Sequence, residues 1–231
     1  MMHYVFDVDG TLTPSRDKMA KEFANWFESF ATHNAVYLVT GSNREKTLEQ
    51  IPTHIYNLCI KVFQCSGNHV FEQDKEIYKD EWKISNEVNI FLLDKLHSSV
   101  FKGKTGYHFD HRPGLCNFSI LGRNANKLQR SKYKNFDAAH KEREKITREF
   151  NKKFKDIRAT VAGETGIDIT PNDKGKGQIL KYFNDKNTVM FFGDKTRFGG
   201  NDYDLAKALQ FRNVFQVDDW KHTWKILQNI V

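Results

Sequence analysis

Two carboxylates, Asp7 and Asp9, stand two residues apart where the apolar run Tyr4-Val5-Phe6 gives way to Gly10-Thr11-Leu12-Thr13. A pair so placed can divide the labour of phosphoryl transfer. Asp7 is positioned to attack phosphorus and form an acyl phosphate. Asp9 is positioned to protonate the leaving oxygen and later deprotonate the acceptor. Two close carboxylates repel a phosphate, so this chemistry calls for a divalent cation. Gly193-Asp194 and Asn201-Asp202, beyond the run Thr188–Phe192, add oxygen ligands. The expected metal set is therefore Asp7, Asp9, Asp194, Asn201 and Asp202, and magnesium suits such hard oxygen donors. Thr40-Gly41-Ser42 offers a hydroxyl and backbone N–H groups to the transferring phosphate. Lys176, in Lys174-Gly175-Lys176-Gly177, can neutralise charge developing on the phosphoryl group. Read singly, Thr-Gly-Ser is also an ordinary helix cap, and a lysine between glycines is usually a solvated loop residue. Their order along the chain gives them their meaning.

Strands must present these groups. Tyr4-Val5-Phe6, Ala35–Val39, Ile60–Phe63, Thr188–Phe192 and Val214–Val217 are short apolar runs that read as buried strands. Ala20, Phe23, Ala24, Phe27, Phe30 and Ala31 trace one face of a helix between the first two. Strand–helix alternation at both ends of the chain predicts an α/β fold with a doubly wound parallel sheet. Ligands in such sheets gather at the carboxyl ends of strands. The middle has a different texture, with helical patterns and strand-like Tyr107-His108-Phe109 and Asn117–Ile120. We expect an inserted α+β cap over residues 79–174, with the core built from 1–78 and 175–231.

The chain has 231 residues with 39% hydrophobic and 13% aromatic content, enough to build a sizeable core. That excludes global disorder. No apolar run approaches the ~20 residues of a membrane helix, and the N-terminus lacks a signal-peptide layout. Three cysteines, Cys59, Cys65 and Cys116, lack metal-ligand spacing. A cytoplasmic protein is expected. The net charge of +7 suits a polyanionic partner. Much of the excess lies between Arg123 and Arg158, where Ala139, Ile146, Phe150 and Phe154 recur at helical spacing, so most of it reads as the solvated face of a helix. No nucleic-acid-binding motif accompanies it.

The four segments, in order, resemble the haloacid dehalogenase superfamily. Within it, Phe6–Arg16 and Phe191-Phe192-Gly193-Asp194-Lys195-Thr196 with Gly199-Gly200-Asn201-Asp202 resemble eukaryotic-type phosphomannomutases. Arg112–Arg123 resembles that family's cap segment, with Arg130 seven residues on. The resemblance implies that Arg112, Arg123 and Arg130 hold the substrate's non-reacting phosphate and that Arg16, Asn117 and Asp168 also contact substrate, along with Thr40 and Gly41. Planar guanidinium forks suit phosphate. It also implies a sugar-phosphate substrate, a hexose 1,6-bisphosphate activator, and a homodimer through the cap, with no nucleic acid or membrane partner. Asp7, Asp9 and Lys176 are the expected catalytic residues. Some positions depart from the family: Thr40 replaces a glycine, Gly166 a serine, and Asn172–Gly177 looks like related sugar phosphatases. Ala206–Gln210 stands in place of a segment linked to a second cation. Mutase and phosphatase therefore both stay open, and a non-catalytic basic binding protein is the contrasting reading.

Overall fold

The computed structural model describes residues 1–230, which fall into two compact units, one of residues 1–80 with 174–230 and one of residues 81–173. The first unit opens with β1 (His3–Phe6), α1 (Lys21–His33), β2 (Ala35–Val39), α2 (Arg44–Gln50), α3 (Thr53–Leu58), β3 (Lys61–Gln64), β4 (His69–Glu72) and β5 (Lys75–Lys79). The second contains α4 (Asn86–Ser98), β6 (Phe109–Arg112), β7 (Leu115–Phe118), α5 (Lys127–His140), α6 (Glu142–Lys153), β8 (Ile157–Ala162) and β9 (Gly166–Pro171). The first unit is completed by a 3₁₀ segment, Lys176–Tyr182, then β10 (Val189–Gly193), α7 (Tyr203–Ala208), β11 (Val214–Gln216) and α8 (Trp220–Ile230).

The sheet order of the first unit is β11-β10-β1-β2-β3-β4-β5. The five strands from β11 to β3 are parallel, and β1 is the middle one. Side chains alternate between two buried faces. Tyr4, Phe6, Val36, Leu38 and Phe192 join Phe23, Phe27 and Phe30 of α1, Tyr56 of α3 and Leu227 of α8. Val5, Tyr37, Val39, Phe63 and Phe191 join Ile179, Phe183 and Leu205. Burial on both sides explains why these strands read as unbroken apolar runs. The parallel sheet expected from the sequence is extended by β4 and β5, which add an antiparallel hairpin at the β3 edge. Its turn uses Gln73 at φ 54° with no glycine, so no turn signal marks it in the sequence.

The second unit has an antiparallel sheet ordered β6-β7-β9-β8. Cys116, Phe118, Ala159, Ile167 and Ile169 pack with Val88 and Leu92 of α4, Tyr133 of α5, and Ile146 and Phe150 of α6. The alternate positions are polar. Asp110, Asn117, Asp168 and Thr160 are in register across all four strands. The single helix expected around Ala139–Phe154 is two helices, broken at Lys141 with φ 54° and ψ 36°. Ala139 is exposed rather than part of an apolar stripe. Arg143 explains the break. It donates to Asp137 Oδ2 at 2.8 Å and to the carbonyls of Ala162, Gly163 and Gly166, fastening the start of α6 to the β8–β9 turn. Among the described residues, no helix is long and apolar enough to cross a membrane.

Two stability tests follow from these details. Lys141→Gly should stabilise by about 0.5–1 kcal/mol in urea titration, since glycine reaches the left-handed region without a Cβ penalty. The Lys141–Glu144 contact it loses, at 3.6 Å on the surface, contributes little. Burial pushes the thiols of Cys59 and Cys116 from 9.0 up to about 12. The unfolded chain therefore releases these protons near pH 9 while the folded chain keeps them. Stability should be insensitive to both thiols below pH 9 and fall by about 1.4 kcal/mol per pH unit per thiol above it. Urea titrations at pH 8, 9 and 10 check this.

Candidate active site

Asp7 follows β1 directly and is 2% exposed. Parallel pairing of β1 with β10 places the residues after Phe6 and Phe192 side by side, so Asp7 and Asp194 meet although they lie far apart in sequence. Gly10 allows the close approach. Its φ is +85°, and a Cβ there would fall 2.7 Å from Asp194 Oδ2. Asp202 caps α7 with its backbone in the αR region, and its Oδ2 accepts from the Lys195 amide at 3.0 Å.

Lys176 ties the group together. Its Nζ lies 2.5 Å from Asp7 Oδ1 and 2.5 Å from Asp202 Oδ1, and the ammonium is fully enclosed. Burial opposes its charge, but Asp202 and then Asp7 hold its pKa above the ordinary lysine value. The Asp7 carboxyl is pushed well up, by burial first, with Lys176 opposing and Asp202 and Asp194 adding. Asp194 is also raised by burial, opposed by Lys195, whose Nζ is 2.8 Å from Asp194 Oδ2. Three carboxylates against two ammonium groups leave the cluster short of positive charge.

That deficit is the test for a metal. Asp7, Asp194 and Asp202 each offer an oxygen, all within 4.8 Å of one another. The donors are hard and anionic, which fits magnesium. The Asn201 Oδ1 atom is buried without a hydrogen-bond partner. Of the five residues expected from sequence, Asp7, Asp194 and Asp202 form this carboxylate group, and Asn201 precedes Asp202 directly. Asp9 Oδ1 accepts from the Arg16 amide at 2.7 Å and from Gln50 Nε2 at 3.1 Å. Gln50 went unnoticed in the sequence, since nothing local marks a helix-end glutamine as a partner of Asp9.

Thr40 is buried at the end of β2, and its Oγ1 accepts from the Ser42 amide at 3.1 Å. Gly41 lies between them. The strand-end positions expected for the phosphate loop are the observed ones.

In the second unit, the polar sheet face collects the arginines. Arg112 and Arg123 share Asp110 Oδ2 at 2.6 and 3.0 Å. Arg123 Nη1 also donates to Asn117 Oδ1 at 2.7 Å, and Asn117 Nδ2 donates to Asp168 Oδ1 at 2.6 Å. Burial lowers the Arg123 pKa, with Arg112 adding to the effect against Asp110 and Asp168. Arg130 stands apart from this chain of contacts, paired with Glu164 at 3.0 Å. Asp110 and Glu164, the counter-ions, were missed in the sequence because cross-strand and helix–loop pairing has no linear signature. Gly166 is explained here. A Cβ at that position would lie 2.5 Å from Asn117 Nδ2, so a serine would displace the asparagine.

A parallel-stranded core with an aspartate at the end of its middle strand, an acidic trio and an enclosed lysine define the haloacid dehalogenase class. The fold agrees. The chain is similar to an IMP-nucleotidase of Plasmodium falciparum, with TM-score 0.68 and 16% identity over 100% of this chain and 68% of that one. It is also similar to a subclass IIB sugar phosphatase of the haloacid dehalogenase superfamily, with TM-score 0.60 and 17% identity over 100% and 99%. More closely, the chain belongs to the eukaryotic phosphomannomutase family, whose model matches residues 23–231. Phosphomannomutase 2 of Dictyostelium discoideum is 29% identical over 97% of this chain and 94% of its own length. Membership makes the chain an enzyme that handles phosphorylated sugars.

The charge balance of the trio can be measured. Lys176→Met strands buried carboxylates and should cost about 3–5 kcal/mol in urea titration. Magnesium should recover part of that loss. In the wild type, magnesium should raise the melting temperature, as any ligand of the folded state does. Asp194→Asn should abolish that response.

Proposed function

We propose that this enzyme interconverts mannose 6-phosphate and mannose 1-phosphate through a phosphoryl group carried on Asp7. The observation that carries the reading is the enclosed Asp7–Lys176–Asp202 contact at the carboxyl end of the middle parallel strand. Family membership supports a sugar phosphate as substrate. Asp7 Oδ attacks phosphorus, forming a P–O bond as the bond to the leaving oxygen breaks. Asp9 gives that oxygen its proton and takes one back from the next acceptor. One carboxylate oxygen of Asp9 is held by Arg16 and Gln50, which leaves the other for the proton. Lys176 and the phosphate-loop groups at Thr40, Gly41 and Ser42 offset charge on the transferring oxygens. Magnesium, held by Asp7, Asp194 and Asp202, would supply further neutralisation of the phosphoryl charge.

A mutase must hold a substrate bearing a phosphate at either end. The polar face of the second unit supports this role, with Arg112, Arg123 and Arg130 as phosphate donors and Asn117 and Asp168 as partners of sugar hydroxyls. The pairing of Arg112 and Arg123 with Asp110 keeps their forks ordered before substrate arrives. Arg16 is assigned to the substrate as well. The reading includes a hexose 1,6-bisphosphate activator, a homodimer through the second unit, and a cytoplasmic setting that the free thiols of Cys59, Cys65 and Cys116 suit.

Phosphorus NMR of mannose 1-phosphate with magnesium and hexose 1,6-bisphosphate tests the proposal. Growth of a 6-phosphate signal is expected. Growth of inorganic phosphate alone would instead assign a sugar-phosphate phosphatase, a reading that the phosphatase-like Thr40-Gly41-Ser42 supports. Asp7→Asn should abolish both signals while the protein stays folded; near-normal turnover in that variant would overturn the covalent mechanism.

A further inference from the structure

The turn joining β3 to β4 puts three consecutive residues in the left-handed region, Cys65 at φ 51°, Ser66 at φ 62° and Gly67 at φ 89°. All three are buried. Two non-glycine residues in succession hold such a conformation only where surrounding contacts impose it. Here the contacts point in two directions. Toward the phosphate loop, the Cys65 amide donates to Ser42 O at 3.0 Å and the Ser66 amide to Thr40 O at 2.8 Å. Toward the lysine segment, Gln178 Nε2 donates to Ser66 O at 2.9 Å. Gly67 gives that segment room, since a Cβ there would sit 2.9 Å from Ile179 Cγ2.

Asn68 closes the arrangement. It is fully buried. Its Nδ2 donates to Cys65 O at 2.7 Å and to Lys174 O at 3.0 Å, and its Oδ1 accepts from Gln178 Nε2 at 3.1 Å. One side chain therefore grips the residues two before and two after Lys176, and binds both to the turn that backs Thr40 and Ser42. Its carbonyl also accepts from the Asp80 amide at 2.8 Å, and Asp80 Oδ2 pairs with Lys174 Nζ at 2.8 Å. The two points where the chain leaves and re-enters the first unit are thus fastened to the same residue.

We propose that Asn68 is a positioning residue: it fixes the segment carrying Lys176 against the turn behind Thr40 and Ser42, so that the ammonium meets Asp7 in one arrangement. The inference rests on Lys176 acting in phosphoryl transfer as described above. Removing the Nδ2 donor frees Lys174 O and loosens the segment without touching substrate. A misplacement of this kind lowers the rate of the chemical step more than it weakens binding.

The test compares Asn68→Ala, Asn68→Asp, Lys176→Met and the Asn68→Ala/Lys176→Met pair, all with saturating magnesium and mannose 1-phosphate. Melting curves confirm that each is folded, and Asn68→Asp, which keeps the shape while removing the donor, carries the test should the alanine variant not fold. The single Asn68 variants should lose on the order of 10- to 100-fold in kcat with KM changed by less than about threefold. The decisive readout is coupling. When Asn68 acts through Lys176, the pair should be no worse than Lys176→Met alone, both in the rate of Asp7 phosphorylation and in the Kd for beryllium fluoride. Additive losses would mean Asn68 only stabilises the fold and would overturn the proposal. Wild-type kinetics in the Asn68 variants beside a crippled Lys176→Met would overturn it too. Full activity in Lys176→Met would instead remove the reading of Lys176 on which it rests.

Discussion

An ammonium group with no water around it must be surrounded by anions, and that constraint organises this enzyme. Lys176 can stay charged in a sealed environment only because Asp7 and Asp202 each place an oxygen 2.5 Å from it. The three come from different parts of the chain, one after β1, one at the start of α7 and one at the opening of the 3₁₀ segment. The parallel sheet brings the first two to one end, and the packing of Ile179 and Phe183 under the sheet delivers the third. Much of the first unit serves to make that encounter unavoidable.

The same electrostatics set the site's appetite. Buried carboxylates that outnumber the ammonium groups beside them raise one another's proton affinity. A divalent cation bound among them would relieve this repulsion.

What the sequence reveals follows the range of the interactions involved. Asp7 and Asp9 are legible because both belong to one short turn, and Asp194 because a glycine and a strand introduce it. Alternating burial on two faces makes the core strands plain, which is why Tyr4–Phe6 and Ala35–Val39 stand where expected. Lys176 gains its meaning only from its order among the other segments. The departures are equally physical. Asp9 is held by Gln50, a residue forty-one positions away. The break at Lys141 depends on Arg143 reaching three carbonyls near the β8–β9 turn. The edge hairpin β4–β5 turns on Gln73, a residue type with no preference for that backbone. Pairings between distant elements leave no trace in a single sequence, whereas periodicity and turn chemistry do.

The first unit is assembled from two stretches of chain with the second unit spliced between them. On the ribosome this has a cost. β1 is translated first, yet its neighbour β10 begins only at Val189. At ordinary elongation rates, roughly 10 to 40 s separate the two. Throughout that interval, Tyr4-Val5-Phe6 exposes unsatisfied backbone donors and acceptors along one side, next to a row of phenylalanines, which is a template for wrong partners. The nascent chain therefore has reason to depend on chaperones until β10 emerges.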